Sequence, residues 1–161
     1  MKQLILVRHA KSSWDAPLQD FDRPLTSRGI QDAHLVSANI GKEIPKTFLV
    51  WSSAAKRATE TALIFAQNLA FPLESIVFKM DLYTFDERRL EEIIKSCSDN
   101  CDHLIVFGHN EAITNFVNKF GNVLIDNVAT SGFVNIIFDD VSWRNISKGK
   151  TIKVIFPKDL K

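Results

Sequence analysis

Two histidines and two arginines stand at positions where they could handle a phosphoryl group. Arg8 and His9 follow a short apolar run, Arg57 lies in an alanine-rich segment, and His109 follows a second apolar run. The planar fork of an arginine matches two phosphate oxygens at once. Neutral imidazole is a competent nucleophile near pH 7, because its unperturbed pKa is about 6.5. These residue types predict phosphoryl transfer onto a histidine, which splits one hard displacement into two easier ones.

Competing chemistries lack the residue spacing that they need. A cysteine phosphatase requires an arginine six positions after its cysteine, but His103 follows Cys97 and Phe107 follows Cys101 at that distance. No predicted strand ends in Asp-x-Asp, and the glycine-rich nucleotide loops and the Gly-x-Ser-x-Gly elbow are absent. The cysteines and His103 could supply three metal ligands, whereas a structural zinc site wants four. We therefore expect free thiols and no bound metal.

Several strands and helices must bring these residues together, since they lie up to 101 positions apart. Short apolar runs predict strands, and apolar residues at helical spacing predict helices. The predicted strands cover residues 3–7, 47–51, 75–79, 103–107, 133–138 and 151–156. The predicted helices cover residues 26–40, 54–69, 86–95 and 111–120.

This order of elements predicts one α/β domain over residues 1–161, a three-layer α/β/α sandwich. The alternating part favours a mainly parallel central sheet, and the last two strands favour an antiparallel addition. Thr26 is suited to cap the first helix, and Asp86 the third. In the first helix Ile30, Ala33 and Ser37 share a face with Ile40, which we expect to be buried.

The predicted sheet explains how distant residues could form one site. Ligands of open α/β sheets bind beyond the carboxyl ends of the strands. Arg8 and His9 follow the first strand, Arg57 begins the helix after the second, and His109 follows the fourth. Helix N-termini at this edge add free N–H groups and positive partial charge. With the cations already in place, the predicted chemistry needs no metal and no other cofactor.

Four segments of the chain resemble one known family. Residues 6–10 (LVRHA) are similar to the signature of the histidine phosphatase superfamily, the phosphoglycerate mutase-like proteins, in which the histidine becomes phosphorylated. Residues 22–29 resemble the segment that opens the family's first helix, residues 52–62 resemble its Ser-x-x-x-Arg-Ala-x-x-Thr-Ala segment, and residues 107–110 resemble the block with its second histidine. The short chain, Ala10 and the Arg-Pro-Leu-Thr run favour the SixA-type branch, the phosphohistidine phosphatases.

The resemblance implies a role for each matching residue. His9 would be the nucleophile, Arg8 and Arg57 would bind the phosphoryl oxygens, and His109, carrying a proton, would donate to the same group. Further substrate contacts are expected from Arg23, Asn110 and Ser131. Glu111-Ala112 stands where the SixA-type pattern commonly has Pro-Gly, which changes one wall of the pocket.

The sequence leaves several carboxyl groups as candidates for the general acid. Many members of the superfamily place a Glu or Asp after the third strand to protonate the leaving oxygen. Asp81, Asp86 and Glu87 stand in that region, although capping of the third helix is the better reading of Asp86. Asp22 is another candidate, because its loop could fold over the site.

Composition and spacing also bear on partners and location. A net charge of +1 does not favour binding to nucleic acid or to an anionic membrane. The apolar run at residues 4–7 is too short for a signal peptide or a membrane span, so we expect a cytoplasmic protein, and we also expect a monomer.

About 24 residues separate Pro72 from Ser96, which is too few for a cap domain over the site. An open site would suit a phosphohistidine-bearing protein or a small phosphorylated substrate, and a non-catalytic phospho-ligand binding module is the alternative from another class.

Overall fold

The computed structural model describes all 161 residues, and every predicted element is present within two residues of its predicted ends. The strands are β1 (Lys2–Arg8), β2 (Leu49–Ser53), β3 (Ile76–Lys79), β4 (His103–Gly108), β5 (Phe133–Phe138) and β6 (Lys150–Ile155). The helices are α1 (Ser27–Ala38), α2 (Lys56–Leu69), α3 (Glu87–Lys95) and α4 (Ala112–Phe120). None of the helices has the length and apolarity required to cross a bilayer.

The six strands form one sheet in the order β3-β2-β4-β1-β5-β6. The first four run parallel, while β5 is antiparallel to β1 and β6 is antiparallel to β5. The predicted parallel sheet with an antiparallel addition is therefore confirmed. Strands β1 and β4 are neighbours in register, with Arg8 opposite Gly108. This pairing brings the residues that follow the two strands, His9 and His109, side by side.

A separate apolar core lies on each face of the sheet. Alternate residues of a strand point to opposite faces, so Leu4 and Leu6 pack with the side of α3 and α4, and Ile5 and Val7 pack with the side of α1 and α2. Full burial of such a side chain contributes about 1.5–3 kcal/mol. The two cores confirm the three-layer architecture and support the central strands from both sides.

The inward face of the first helix agrees with the predicted one at three of four positions. Ala33, Ser37 and Ile40 are buried, whereas Ile30 is 41% exposed. Gly29 lies directly against the backbone of Lys11, where only a residue without a side chain fits. Thr26 caps the helix as predicted, its hydroxyl accepting a hydrogen bond from the backbone N–H of Gly29 at 2.9 Å.

Candidate active site

His9 is held by the backbone at the point where β1 ends. Its N–H donates to the carbonyl of Gly108 at 3.0 Å, and the N–H of Ser131 donates to its carbonyl at 3.2 Å. The ring nitrogen Nδ1 lies 2.6 Å from the carbonyl oxygen of Ala10, so Nδ1 carries the proton and Nε2 keeps its lone pair. Burial, with a further contribution from Arg57, lowers the pKa of His9 to about 3. The side chain is therefore a neutral imidazole near pH 7, as a nucleophile must be.

Arg57 approaches this lone pair from the first turn of α2. Its Nε lies 3.3 Å from Nε2 of His9, and the side chain is 2% exposed. The other two nitrogens donate to Asp20, Nη1 to the backbone carbonyl at 2.6 Å and Nη2 to the carboxylate at 2.9 Å. The position is fixed through Thr61, whose hydroxyl donates to the carbonyl of Arg57 and accepts from the N–H of Ala10.

His109 lies beside His9, with the ring centroids 5.2 Å apart. Its Nε2 is 2.8 Å from the hydroxyl of Ser53, which already accepts a hydrogen bond from the N–H of Ala55. The hydroxyl proton is thus directed to Nε2, which favours the tautomer with the ring proton on Nδ1. Nδ1 itself is buried and has no hydrogen-bond partner in the protein.

Burial bears on the expected protonation of His109. Burial, followed by repulsion from His9 and Arg57, lowers its pKa to about 2. The charged form expected from the sequence is therefore disfavoured, because the ring is desolvated between Tyr83 and Phe85 and lies near cations. A neutral imidazole can still donate a hydrogen bond from Nδ1–H.

Asp20 is a central residue of the site that the sequence analysis missed. It begins a short 3-10 turn, and its carboxylate accepts hydrogen bonds from Arg57, from Arg23 at 3.0 and 3.1 Å, and from the hydroxyl of Tyr83. Burial alone would raise the pKa of Asp20, but hydrogen bonds from Tyr83 and Arg57 outweigh it and lower the pKa to about 2. The available signal was the spacing of three between Asp20 and Arg23, which places an acid and a base on one side of a helical turn.

None of the four predicted general acids lines the site, and Asp81 is exposed on a short 3-10 turn. Asp86 caps α3 by accepting from the N–H of Arg88 at 3.2 Å, which was the alternative reading of that residue. Glu87 pairs with Lys119 of α4 at 3.6 Å. Asp22 is exposed, because the 3-10 turn directs Asp20 to the arginines in its place. Asp20 is thus the one carboxylate in the cavity wall.

A cavity of about 350 Å³ at the carboxyl edge of the sheet is lined by His9, Arg57 and Asp20, whereas His109 is buried beside His9 and is not part of the cavity wall. The basic side chains of the wall are those of Arg8, Lys11, Arg23 and Arg57, against the single carboxylate of Asp20. A larger groove of about 650 Å³ at the other end of the sheet has Lys46 as its only charged residue and contains no histidine. The smaller cavity is therefore the candidate anion site.

Arg23 and Arg8 both line this cavity. Arg23 is buried, donates to the hydroxyl of Ser12 at 2.6 Å and lies under the ring of Trp14, 3.5 Å from the ring centroid. Arg8 donates from Nη1 to the carbonyl of Val128 at 2.8 Å, and its Nε is buried without a partner. Burial lowers the pKa of Arg8 from its ordinary value.

Asn110 and Ser131 have different relations to the cavity. Asn110 lines it, and its amide bonds to Asn127 and to Thr114 order that wall. Ser131 is wholly buried and is not among the residues that line the cavity. Its φ of 61° turns the chain back, and its N–H bonds to the carbonyls of Arg8 and His9 hold the nucleophile in place. Thr130, the preceding residue, lines the cavity in its place.

The cysteines form no centre of their own. Cys97 and Cys101 are free thiols, and nowhere in the chain do three histidine, cysteine, aspartate or glutamate side chains group as metal ligands would. Burial raises the pKa of the Cys97 thiol to about 12, so the thiol is protonated and unreactive near pH 7.

Comparisons with known proteins agree with this architecture. The model of the histidine phosphatase superfamily (branch 1) matches residues 4–82. An uncharacterised protein of Mycobacterium tuberculosis is 32% identical over 103 residues, which cover 64% of this chain and 62% of that protein. The chain therefore spans less than two thirds of the length of that relative.

Two solved structures share the fold. The structure of the protein histidine phosphatase SixA complexed with tungstate superposes with a TM-score of 0.82 at 21% identity and covers 99% of both chains. A phosphoserine phosphatase of Entamoeba histolytica in complex with 3-phosphoglyceric acid gives a TM-score of 0.65 at 18% identity and covers 96% of both chains.

Proposed function

Because residues 4–82 match the model of the histidine phosphatase superfamily (branch 1), we propose that the chain is a SixA-type phosphohistidine phosphatase that works through a covalent phosphohistidine on Nε2 of His9. The observation that carries this proposal is the environment of Nε2. The contact of Nδ1 with the carbonyl of Ala10 leaves the lone pair on Nε2, and Arg57 lies 3.3 Å from that atom in a basic cavity. A nucleophile and the cations that hold its target are thus brought together.

The first step transfers the phosphoryl group to the protein. The lone pair of Nε2 attacks phosphorus, the P–N bond forms as the bond to the leaving group breaks, and the leaving group departs with the bonding electron pair. Arg57, Arg23 and Arg8 bind the equatorial oxygens, which gain charge in the transition state. Nδ1 of His109, like Nε of Arg8, is buried without a protein partner, and in this mechanism its N–H donates to one of the same oxygens.

The second step returns the protein to its starting state. Water attacks phosphorus, the bond from phosphorus to Nε2 breaks, and its electron pair returns to the ring as inorganic phosphate leaves. Asp20, the carboxylate of the cavity wall, accepts the proton of the attacking water and releases it to solvent, so that the carboxylate is ionised again. An imidazole leaving group departs as a neutral ring once its second nitrogen carries a proton, which solvent supplies at the open mouth of the cavity. The first step then needs no acid from the protein, which fits a site whose only carboxylate is ionised.

We infer that the substrate is a phosphohistidine exposed on the surface of another protein. The cavity reaches solvent through exposed residues such as Trp14 and Phe85, and no additional domain covers it. The same opening admits small phosphoesters, which are the second candidate substrates. Free thiols at Cys97 and Cys101 suit a reducing compartment, and we place the activity in the cytoplasm, in a monomer.

The test is a substrate panel combined with trapping of the intermediate. Release of phosphate from a phosphohistidine protein, an aryl phosphate and a sugar phosphate is measured in excess chelator. Radiolabelled substrate should leave acid-labile phosphate on the wild type and none on the His9→Ala variant, which should be inactive but folded. Normal turnover by His9→Ala would refute the mechanism, and binding without turnover by the wild type would favour a binding module.

A further inference from the structure

Two aromatic side chains at the mouth of the cavity have no part in binding the phosphoryl group. Of the residues that line the cavity, only Lys11, Trp14 and Phe85 are exposed. Trp14 is 76% exposed and Phe85 is 51% exposed. Covering exposed apolar surface with a ligand is favourable, and both rings belong to the wall of the candidate site.

The direction of the displacement places the leaving group at this mouth. The attacking and leaving atoms lie roughly in line across phosphorus. His9 is 8% exposed and Arg57 is 2% exposed, so the attack comes from the buried end of the cavity. The leaving group consequently lies on the opposite side of phosphorus, among the exposed residues.

Both rings are held in place by residues of the phosphoryl site. The guanidinium of Arg23 stacks on Trp14 at 3.5 Å from the ring centroid, and the buried Arg23 is itself fixed by Asp20 and Ser12. Phe85 packs edge-on against His109, with ring centroids 5.6 Å apart. A ring positioned in advance loses little conformational freedom when a ligand stacks on it.

We propose that Trp14 and Phe85 form a leaving-group subsite that selects phosphates carried by a flat ring, such as phosphoimidazole or an aryl phosphate. This inference rests on the proposed function and specifies the substrate class of the same site. A flat ring stacks on exposed aromatic faces and gains about threefold to tenfold in affinity for each aromatic pair. A sugar or glycerol would instead need hydrogen-bond partners for its hydroxyls, and the exposed part of the wall supplies only the ammonium of Lys11.

The test compares two ligands that differ only in the ring. Phenylphosphonate and methylphosphonate are both tetrahedral anions that the protein cannot cleave, and their dissociation constants are measured by calorimetry. Wild type should bind phenylphosphonate about tenfold more tightly. The ratio of the two constants should fall by about threefold in Trp14→Ala and in Phe85→Leu, and Trp14→Phe should retain most of it.

Leu18→Ala is the matched control, since Leu18 is a 48% exposed apolar residue of the same loop that does not line the cavity. It should keep the wild-type ratio. If Trp14→Ala weakens both phosphonates equally, Trp14 only supports Arg23 and the subsite is refuted. A wild type without preference for the phenyl ligand refutes it as well. Phe85→Leu tests the same idea on a separate loop, should Trp14→Ala fold poorly.

Kinetics separate this inference from the proposed function. Phosphoimidazole and phosphoramidate both contain a P–N bond, but only the first has a ring. The wild type should show a higher kcat/KM for phosphoimidazole, and Trp14→Ala should reduce that advantage. The expected phosphonate ratios without hydrolysis of either compound would refute the phosphatase and leave the subsite standing. Hydrolysis of both at equal rates, with equal phosphonate affinities, would refute the subsite and leave the phosphatase standing.

Discussion

The carboxylate of Asp20 accepts hydrogen bonds from the two arginines that a phosphoryl group would need as donors. It lies 2.9 Å from Arg57 and 3.0 Å from Arg23, and it also accepts from the hydroxyl of Tyr83. A carboxylate and a phosphate bind an arginine fork in the same way. Substrate must therefore displace Asp20 from both arginines, and the carboxylate then lies beside the reacting group, still bonded to Tyr83.

Removal of the charge of Asp20 should strengthen anion binding. We expect Asp20→Asn to bind inorganic phosphate about fivefold more tightly, equivalent to ~1 kcal/mol for a partly exposed ion pair. Asp22→Asn, on the same turn but outside the cavity wall, should bind like the wild type. Calorimetry gives both constants. Weaker binding by Asp20→Asn would show that the carboxylate orients the arginines for the substrate rather than competing with it.

Arg57 should not tolerate exchange for lysine. Lysine keeps the charge but loses the fork that contacts both His9 and the phosphoryl oxygens. Loss of one preorganised donor at a developing charge lowers the rate by about 10²–10³, so kcat of Arg57→Lys should fall by that factor. Arg28→Lys, at a side chain that is 69% exposed on α1, should retain wild-type kcat. A kcat within twofold of wild type for Arg57→Lys would exclude Arg57 from the reaction.

The sequence could predict the position of a site residue where that residue directly follows a strand of the sheet. His9 and His109 follow neighbouring parallel strands, so their proximity could be derived from the alternation of elements. Asp20 could not be derived in this way, since it lies on a 3-10 turn in an irregular stretch with Asp22 two positions away. Only the tertiary contact with Arg57 decides which of the two carboxylates faces the site.

At the scale of elements, α1 positions the loop that carries several cavity residues. The N–H of Thr26 donates to the carbonyl of Lys11 at 2.9 Å, and Gly29 lies against the same carbonyl. The apolar periodicity could predict that a helix exists here, because it needs only local spacing. It also predicts the burial of Ala33, Ser37 and Ile40, but not the exposure of Ile30, which lies in the turn that packs against Lys11.

The contact between α1 and this loop leads to a prediction for Gly29. A Cβ at Gly29 would clash with the backbone oxygen of Lys11, so Gly29→Ala must shift the helix or the loop. We expect a loss of about 1–3 kcal/mol in the free energy of unfolding, with a lower kcat/KM. Gly41→Ala is the matched control, because nothing lies within 4 Å of its added Cβ. Equal stability of the two variants in urea would contradict the close packing.

Across the whole molecule, burial of the site sets the protonation of both histidines. The two apolar cores lie on the two faces of the sheet, and the side chains of three arginines line the cavity at its carboxyl edge. Desolvation and these cations together disfavour a charged imidazole. Sequence alone could predict a neutral His9 from its role, but not a neutral His109, because the ring between Tyr83 and Phe85 is a product of tertiary packing.

These lowered pKa values predict how the stability of the protein depends on pH. In the unfolded chain each histidine titrates near pH 6.5, whereas in the folded chain the pKa is about 3 for His9 and about 2 for His109. Below pH 6.5 the unfolded chain therefore binds more protons, and the free energy of unfolding should fall as the pH decreases towards 3. The limiting slope is about 1.4 kcal/mol per pH unit for each histidine.

Urea unfolding at several values between pH 5 and 7 measures this slope, above the range in which most carboxylates titrate. Burial raises the pKa of Glu87, which acts in the opposite sense, so the informative quantity is a difference between two proteins. His109→Asn can keep a hydrogen bond with Ser53 and removes one titrating group. The slope of its free energy of unfolding against pH should therefore be shallower than that of the wild type by up to about 1.4 kcal/mol per pH unit, the contribution of one histidine. An unchanged slope would mean that His109 takes up its proton in the folded site as readily as in the unfolded chain.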